Sequence, residues 1–217
     1  MFITESYNPR KGVMNRFKSL ISLSAVLLSG SAFSYGTGTV SYPLMPEKRL
    51  VSTEFTGITS TGGGIGLQGR YTQKINSRTV VDGGLGIGGG ERDSRFFIGA
   101  DYEIIPDYMK QPKVSLKLNL ENAKEFDVRR NILSLAPTVS KGFSFWGNEA
   151  YPFVSLPIGI SLDSDSKTYE SVVNLSSGIT GHLPFEGYRH LVATAEATIG
   201  VKDSYTGVFL GVSYPLN

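Results

Sequence analysis

The chain has 217 residues, 26 glycines, no cysteine, a hydrophobic fraction of 40% and a formal net charge of +2. Without cysteine there is no disulfide scaffold, thiolate metal site or catalytic thiol, and a charge so near zero excludes the basic surplus of nucleic-acid binders. Glycine at well above its usual share of about 7%, beside many aromatic residues, points to strands and turns.

In chain order, the first element is a targeting segment. Arg16 and Lys18 precede the apolar run 20–28, and small residues follow to Ser34. A basic stretch, a short apolar core and small residues are the pattern of a secretory signal peptide, and the run is far short of the ~20 residues of a membrane-spanning helix. Residues 1–34 are therefore expected to be an upstream extension plus signal peptide, with Met14 a candidate start. Removing Arg10, Lys11, Arg16, Lys18 and Glu5 leaves 17 positive and 18 negative charges, so the mature chain has a formal charge of −1. Residues 35–48, with Pro43 and Pro46, read as an irregular leader.

From residue 49 to 217 the hydrophobic period is two, and no window has helical spacing. Strands are expected at about 49–60, 65–74, 80–87, 96–104, 114–121, 133–140, 154–162, 173–179, 191–199 and 208–214. Turn signals separate them, among them Asn76-Ser77, Gly88 to Asp93, Asn122 to Asp127, Asp163 to Ser166 and Lys202-Asp203. Ten sequential strands with short connections make a single antiparallel up-and-down domain, with eight or twelve strands as alternatives.

The two faces differ in composition. One is aliphatic over about 9–11 residues per strand, the length that crosses a bilayer at a ~45° tilt. The other carries ionisable groups at mid-strand: Arg70, Asp82, Asp101, Glu103, Lys117 and Glu196. Rings gather at strand ends. Tyr71, Tyr102, Tyr108, Phe143, Phe145, Trp146, Tyr151, Phe185, Tyr188 and Tyr214 fall near one set of alternate turns, and Phe96, Phe97, Phe126, Tyr169 and Tyr205 near the other. Two aromatic belts around an aliphatic band suit a membrane interface.

With these features the mature chain resembles the bacterial outer-membrane β-barrel superfamily. Gly211, Tyr214 and Leu216 are similar to that family's carboxy-terminal insertion signal, although this chain ends Pro215-Leu216-Asn217 where the family usually ends on an aromatic residue. The resemblance implies a transmembrane barrel in the outer membrane of a diderm bacterium. It also implies periplasmic termini, periplasmic turns after the even-numbered strands, and contact with outer-membrane lipid and the assembly machinery.

Pairing strands about their turns yields a charge map. A turn centred near Ser77 places Arg70 diagonal to Asp82, and one centred between Glu91 and Arg92 places Asp82 opposite Asp101. Glu121 then faces Arg130. A salt-bridged lumen built from Arg70, Asp82, Asp101, Glu103, Lys117, Glu121, Arg130 and Glu196 is favoured over a catalytic carboxylate pair. Two GxGxxG runs, from Gly64 and from Gly84, lack the following helix that dinucleotide binding requires, so their inward glycines are expected to make room for long side chains. His182 and His190 flank the 184–187 turn and are both expected to point inward, without a third metal ligand. No catalytic constellation, metal or cofactor is expected. The leading expectation is a monomeric barrel with a structural or narrow-conduit role. A porin-like channel, a secreted or periplasmic soluble barrel holding an apolar ligand, and an outer-membrane lipid hydrolase are the alternatives.

Overall fold

A computed structural model describes residues 41–60, 63–89, 92–125, 127–145 and 147–216. Residues 1–34, expected to be an upstream extension and signal peptide, and residues 35–40 lie outside the described residues. All regular structure is antiparallel strand: β1 (Arg49–Ile58), β2 (Ile65–Lys74), β3 (Thr79–Gly88), β4 (Arg92–Ile105) and β5 (Lys113–Glu125) come first. β6 follows (Val128–Ser140, continued by Phe143–Phe145), then β7 (Asn148–Ser155, continued by Ile158–Asp163), β8 (Tyr169–His182), β9 (Val192–Lys202) and β10 (Gly207–Leu216).

Each strand pairs with the next, and β10 returns to β1 in unbroken register from Arg49↔Leu216 to Ile58↔Gly207. The result is a closed ten-stranded barrel without free edges. Both halves of β7 keep one register against β6, from Arg130↔Asp163 to Thr138↔Ser155, so the break at Leu156-Pro157 interrupts a single strand. Pro157 has no N–H to give to the ladder, but its carbonyl still accepts from the Asn174 N–H at 2.9 Å.

Turn chemistry follows local sequence. Asn76 Oδ1 accepts from the Arg78 and Thr79 N–H groups at 2.9 and 2.8 Å, which closes the β2–β3 hairpin. Asp127 (φ 61°) and Gly147 (φ 75°) are left-handed where the chain reverses after β5 and β6. The first of these turns is shorter than the sequence suggests. Residues 122–125 and 128–131 continue the ladder, and Asn122 Nδ2 donates to Asn131 Oδ1 at 2.6 Å.

The alternation sorts side chains as expected. Leu85 and Ile87 on β3 are 67% and 70% exposed, and Ile98, Leu118, Leu120, Leu133, Leu135, Ile160 and Leu210 also face outward. Ser52, Glu54, Gln68, Arg70, Asp82, Lys117 and Glu196 are buried inside. The barrel is thus apolar outside and polar within. Of the aromatic belts, Tyr71, Tyr102, Tyr108, Phe143, Phe185, Tyr188 and Tyr214 are outward on the edge that also holds both chain ends, here the terminal edge. On the far edge only Phe96 and Tyr169 are outward among the described belt residues. Phe97 departs from the expectation: it is buried in the interior, as are Phe153 and Phe209.

The leader is irregular but packed. Ser41 and Leu44 are buried, Ser41 Oγ donates to the Tyr151 carbonyl at 2.9 Å, and the Glu47 N–H donates to Lys74 O at 2.9 Å. Residues 41–48 therefore line the terminal edge of the barrel.

Candidate functional site

The interior residues of β1 to β5 form one continuous ion-paired cluster. Period-two spacing places Glu54 on β1, Gln68 and Arg70 on β2, Asp82 on β3, Arg95 and Phe97 on β4, and Lys117 and Glu121 on β5, all pointing inward. Arg70 Nε donates to Glu54 Oε1 and Oε2 at 2.8 and 3.1 Å, and its Nη1 pairs with Asp82. Lys117 Nζ donates to the same Asp82 oxygen, Oδ2, at 2.8 Å. Gln68 donates to Glu54 and accepts from Arg95 Nη1 at 3.1 Å, while Arg95 pairs with Glu121 at 2.7 Å. The Phe97 ring lies under two guanidinium groups, with Arg70 Cζ 4.4 Å and Arg95 Cζ 4.9 Å from its centroid. Cations over a ring face gain from its quadrupole where water is excluded.

Glycine makes this crowding possible at two positions. A Cβ on Gly84, directly opposite Phe97, would come within 2.6 Å of that ring. A Cβ on Gly99 would sit 2.7 Å from Asp82 Oδ1 and 2.9 Å from Lys117 Cε. Lys117 thus crosses β4 over Gly99 to reach Asp82 two strands away. The expected role of inward glycines holds at these positions.

The structure corrects parts of the charge map. Arg70 opposes Gly84, so Asp82 is diagonal to it as expected. Asp82, however, opposes Gly99, and Asp101 lies opposite Val80 on one side and Lys117 on the other. The β3–β4 register is displaced by two residues from a turn centred between residues 91 and 92. Glu121 opposes Ile132, and Arg130 opposes Ala123, because the ladder runs on to Glu125↔Val128 and the register again moves by two. Arg130 pairs instead with Glu170 at 3.2 Å. Even displacements keep every side chain on its face, which is why the inward assignment survives while the partners change.

Asp101 and Glu103 stand apart from the cluster, toward the terminal edge, each with an oxygen 4.0 Å from Lys113 Nζ. Glu196 is buried on the opposite wall, accepts from Thr198 Oγ1 at 3.3 Å and adds its charge to the field at Arg70. Glu54, Gln68 and Arg95 were not expected. Glu54 alternates with Ser52 and Thr56 in the strand with the weakest apolar face, and Arg95 falls near the turn signal at residues 88–93. The sign that could have found Glu54 is an ionisable residue between two hydroxyl residues at period two.

The histidines separate. His182 faces the interior at the terminal edge, where its Nε2 is 2.8 Å from Tyr42 Oη. His190 is exposed, not inward, and its ring meets Tyr214 edge-on at 5.8 Å. The long 183–191 connection carries it out of strand parity. Among the described residues no group of three or more His, Asp or Glu side chains is placed to hold a metal. The three residues expected to form an insertion signal divide between faces: Gly211 faces inward beside Glu54, while Tyr214 and Leu216 face outward.

Two titratable groups outside the strands are perturbed. Burial raises the Tyr42 phenol, and the Glu149 charge raises it further. Partial burial pushes Asp107 up, but its hydrogen bond from Lys141, the Gly142 N–H at 2.7 Å and the Lys141 charge outweigh this and hold it below the usual carboxylate range.

Chemically the cluster is closed. Glu54, Asp82 and Glu121 each hold a cation, so none offers a free base to a substrate. The fold and interior define a small closed antiparallel β-barrel with a charge-filled lumen and an aliphatic outer wall. No protein-family model and no curated protein matches the sequence.

Proposed function

We propose that this chain is a small outer-membrane β-barrel of a diderm bacterium whose ion-paired lumen makes it a structural or narrow-conduit protein. The observation that carries the reading is the inverted pattern, with aliphatic side chains outside and buried charges inside. Each Leu, Ile or Val left in water forgoes about 1.5–3 kcal/mol relative to burial, and soluble monomers rarely expose continuous apolar patches beyond a few hundred Å². An acyl-chain environment removes that cost, and the outward Tyr and Phe at the terminal edge suit headgroup level. The signal-like amino terminus and the Gly211, Tyr214 and Leu216 pattern support export and delivery to the barrel-assembly machinery. Barrel closure leaves no strand edge for self-association, in keeping with a monomer.

A soluble barrel holding an apolar ligand needs the opposite orientation, with Leu118 inward and Lys117 in water. A porin-like channel needs an open lumen, and ten strands already crossed by Arg70, Lys117 and Phe97 leave little bore.

Membrane fractionation tests the location. The protein is expected in outer membranes, migrating differently on denaturing gels before and after boiling, and recovery of the unheated protein in the periplasm overturns the reading. Planar-bilayer recording tests the role: silence or rare brief openings fit the plugged barrel, whereas steady conductance favours the channel. Leu118→Cys should react with a lipid-phase probe and Lys117→Cys should not.

A further inference from the structure

The β1–β5 wall spends most of its polar groups on itself, whereas the lining of a cavity where that wall meets β6 to β8 does not. This cavity, about 60 Å³, lies among β5 to β8 beneath residues 203–205 and opens toward the far edge. Asn119, Ser134 and Ser161 line it from three consecutive strands, and among the described residues their side chains make no hydrogen bond. Arg130 adds an Nε–H, buried and unaccepted, while Glu170 holds its Nη1 at the rim. Behind them Arg95 and Glu121 neutralise each other at 2.7 Å. Tyr205 contributes a half-buried ring, and the exposed Asp203 carboxylate stands at the mouth.

Polar groups out of bulk water need partners, and this set offers donors and acceptors together. The donors are the Arg130 Nε–H, the Asn119 amide and two hydroxyls. The acceptors are Asn119 Oδ1, the same hydroxyls and Asp203. A carboxylate would bring acceptors only, and either a carboxylate or a phosphate would meet the charge of Asp203 at the mouth. A hydroxyl donates and accepts at once, and a carbon skeleton bearing hydroxyls can rest on an aromatic ring. We propose that the cavity is a binding site for small neutral polyols, taking the adjacent-hydroxyl edge of a sugar or sugar alcohol. The site depends on the closed barrel and not on its location, so recovery of the protein from the periplasm would leave the site standing.

The test is amide NMR on the isotope-labelled chain folded in detergent micelles, titrated separately with myo-inositol, D-glucose and inorganic phosphate. Saturable shifts at Asn119, Ser134 and Ser161 are expected with either polyol, in the millimolar range. Ser161→Ala and Asn119→Leu should each weaken binding about tenfold, the value of one good hydrogen bond. The unchanged remainder of the spectrum shows that each variant is folded. Absence of saturable shifts, stronger binding of phosphate, or polyol binding that survives both substitutions would overturn the proposal. The first of these results would leave the cavity filled by ordered water alone.

Discussion

The two walls of the lumen solve the same problem by different chemistry. β1 to β5 fill it with charges: Glu54, Arg70, Asp82, Arg95, Lys117 and Glu121 are held in one cluster around Phe97. β6 to β9 fill it with hydroxyls in cross-strand pairs: Thr138 with Ser155 and Ser176 with Thr198, both at 2.8 Å, and Thr180 with Thr194 at 3.1 Å. A hydroxyl pair is small, local and weakly coupled to its neighbours. An ion cluster is all or nothing, since removing one member strands the rest in a medium that solvates them poorly. The difference teaches that the two walls should respond differently to the loss of one side chain, steeply in the ion cluster and mildly among the hydroxyl pairs.

The comparison breaks most sharply at Arg70. Arg70→Met takes the guanidinium from Glu54 and leaves Asp82 with Lys117 alone, and breaking a buried pair typically costs about 3–5 kcal/mol. The expected outcome is a large fall in the denaturant midpoint of the detergent-folded barrel, together with leak currents in bilayer recordings. Wild-type stability in the variant would show that the cluster does not bear the load argued for it.

Next come two glycines that play one part on both walls. Gly84 opposes Phe97, and Gly178 opposes Phe153 with a virtual Cβ 2.5 Å from that ring. Gly84→Ala and Gly178→Ala should each cost about 1–3 kcal/mol through overpacking. Unequal losses in denaturant titrations would reveal which wall yields more easily. Hydroxyl removal is milder. Ser176→Ala should cost only about 0.2–1 kcal/mol, the range of a cross-strand pair, and a loss comparable to that of Arg70→Met would erase the distinction between the walls.

The smallest effect lies outside the lumen, at the terminal edge. Asp107 accepts from Lys141 and from the Gly142 N–H where β6 is interrupted. Its carboxyl is held below its unfolded value, so its contribution is present above the unfolded value and fades as pH falls through the lowered one. Protection of the Gly142 N–H, taken as its exchange rate relative to the intrinsic rate at each pH, should therefore fall in acid in the wild type. In Asp107→Asn the protection should already be low at neutral pH and lose most of its acid dependence.

Much of this was readable in advance because strand parity is a local property. Whether Lys117 and Leu118 face opposite ways depends only on their being neighbours in an extended chain, and the alternation around them says which is which. Ten strands, their order and the inward set Arg70, Asp82, Lys117 and Glu196 follow from that. Partner choice does not. It depends on how many residues each turn consumes, and the two-residue displacements at β3–β4 and β5–β6 leave parity untouched. Asp82 therefore faces Gly99 where Asp101 was expected, although Arg70 and Lys117 flank it as the charge map has them, and Glu121 meets Arg95 where Arg130 was expected. Phe97 shares the inward parity of Gly99 and Asp101 and so leaves the aromatic belt, whereas His190 was misread because parity does not carry across the long 183–191 connection.

By itself the sequence determined an all-β chain with one greasy and one charged face, since period-two patterning is written residue by residue. Only the tertiary structure decided which residues pair across the lumen, how Glu54 and Arg95 join the cluster, and that the leader packs on the terminal edge. Those outcomes depend on register and closure, where β10 meets β1 across about 160 residues of chain and a shift of two costs no change of face.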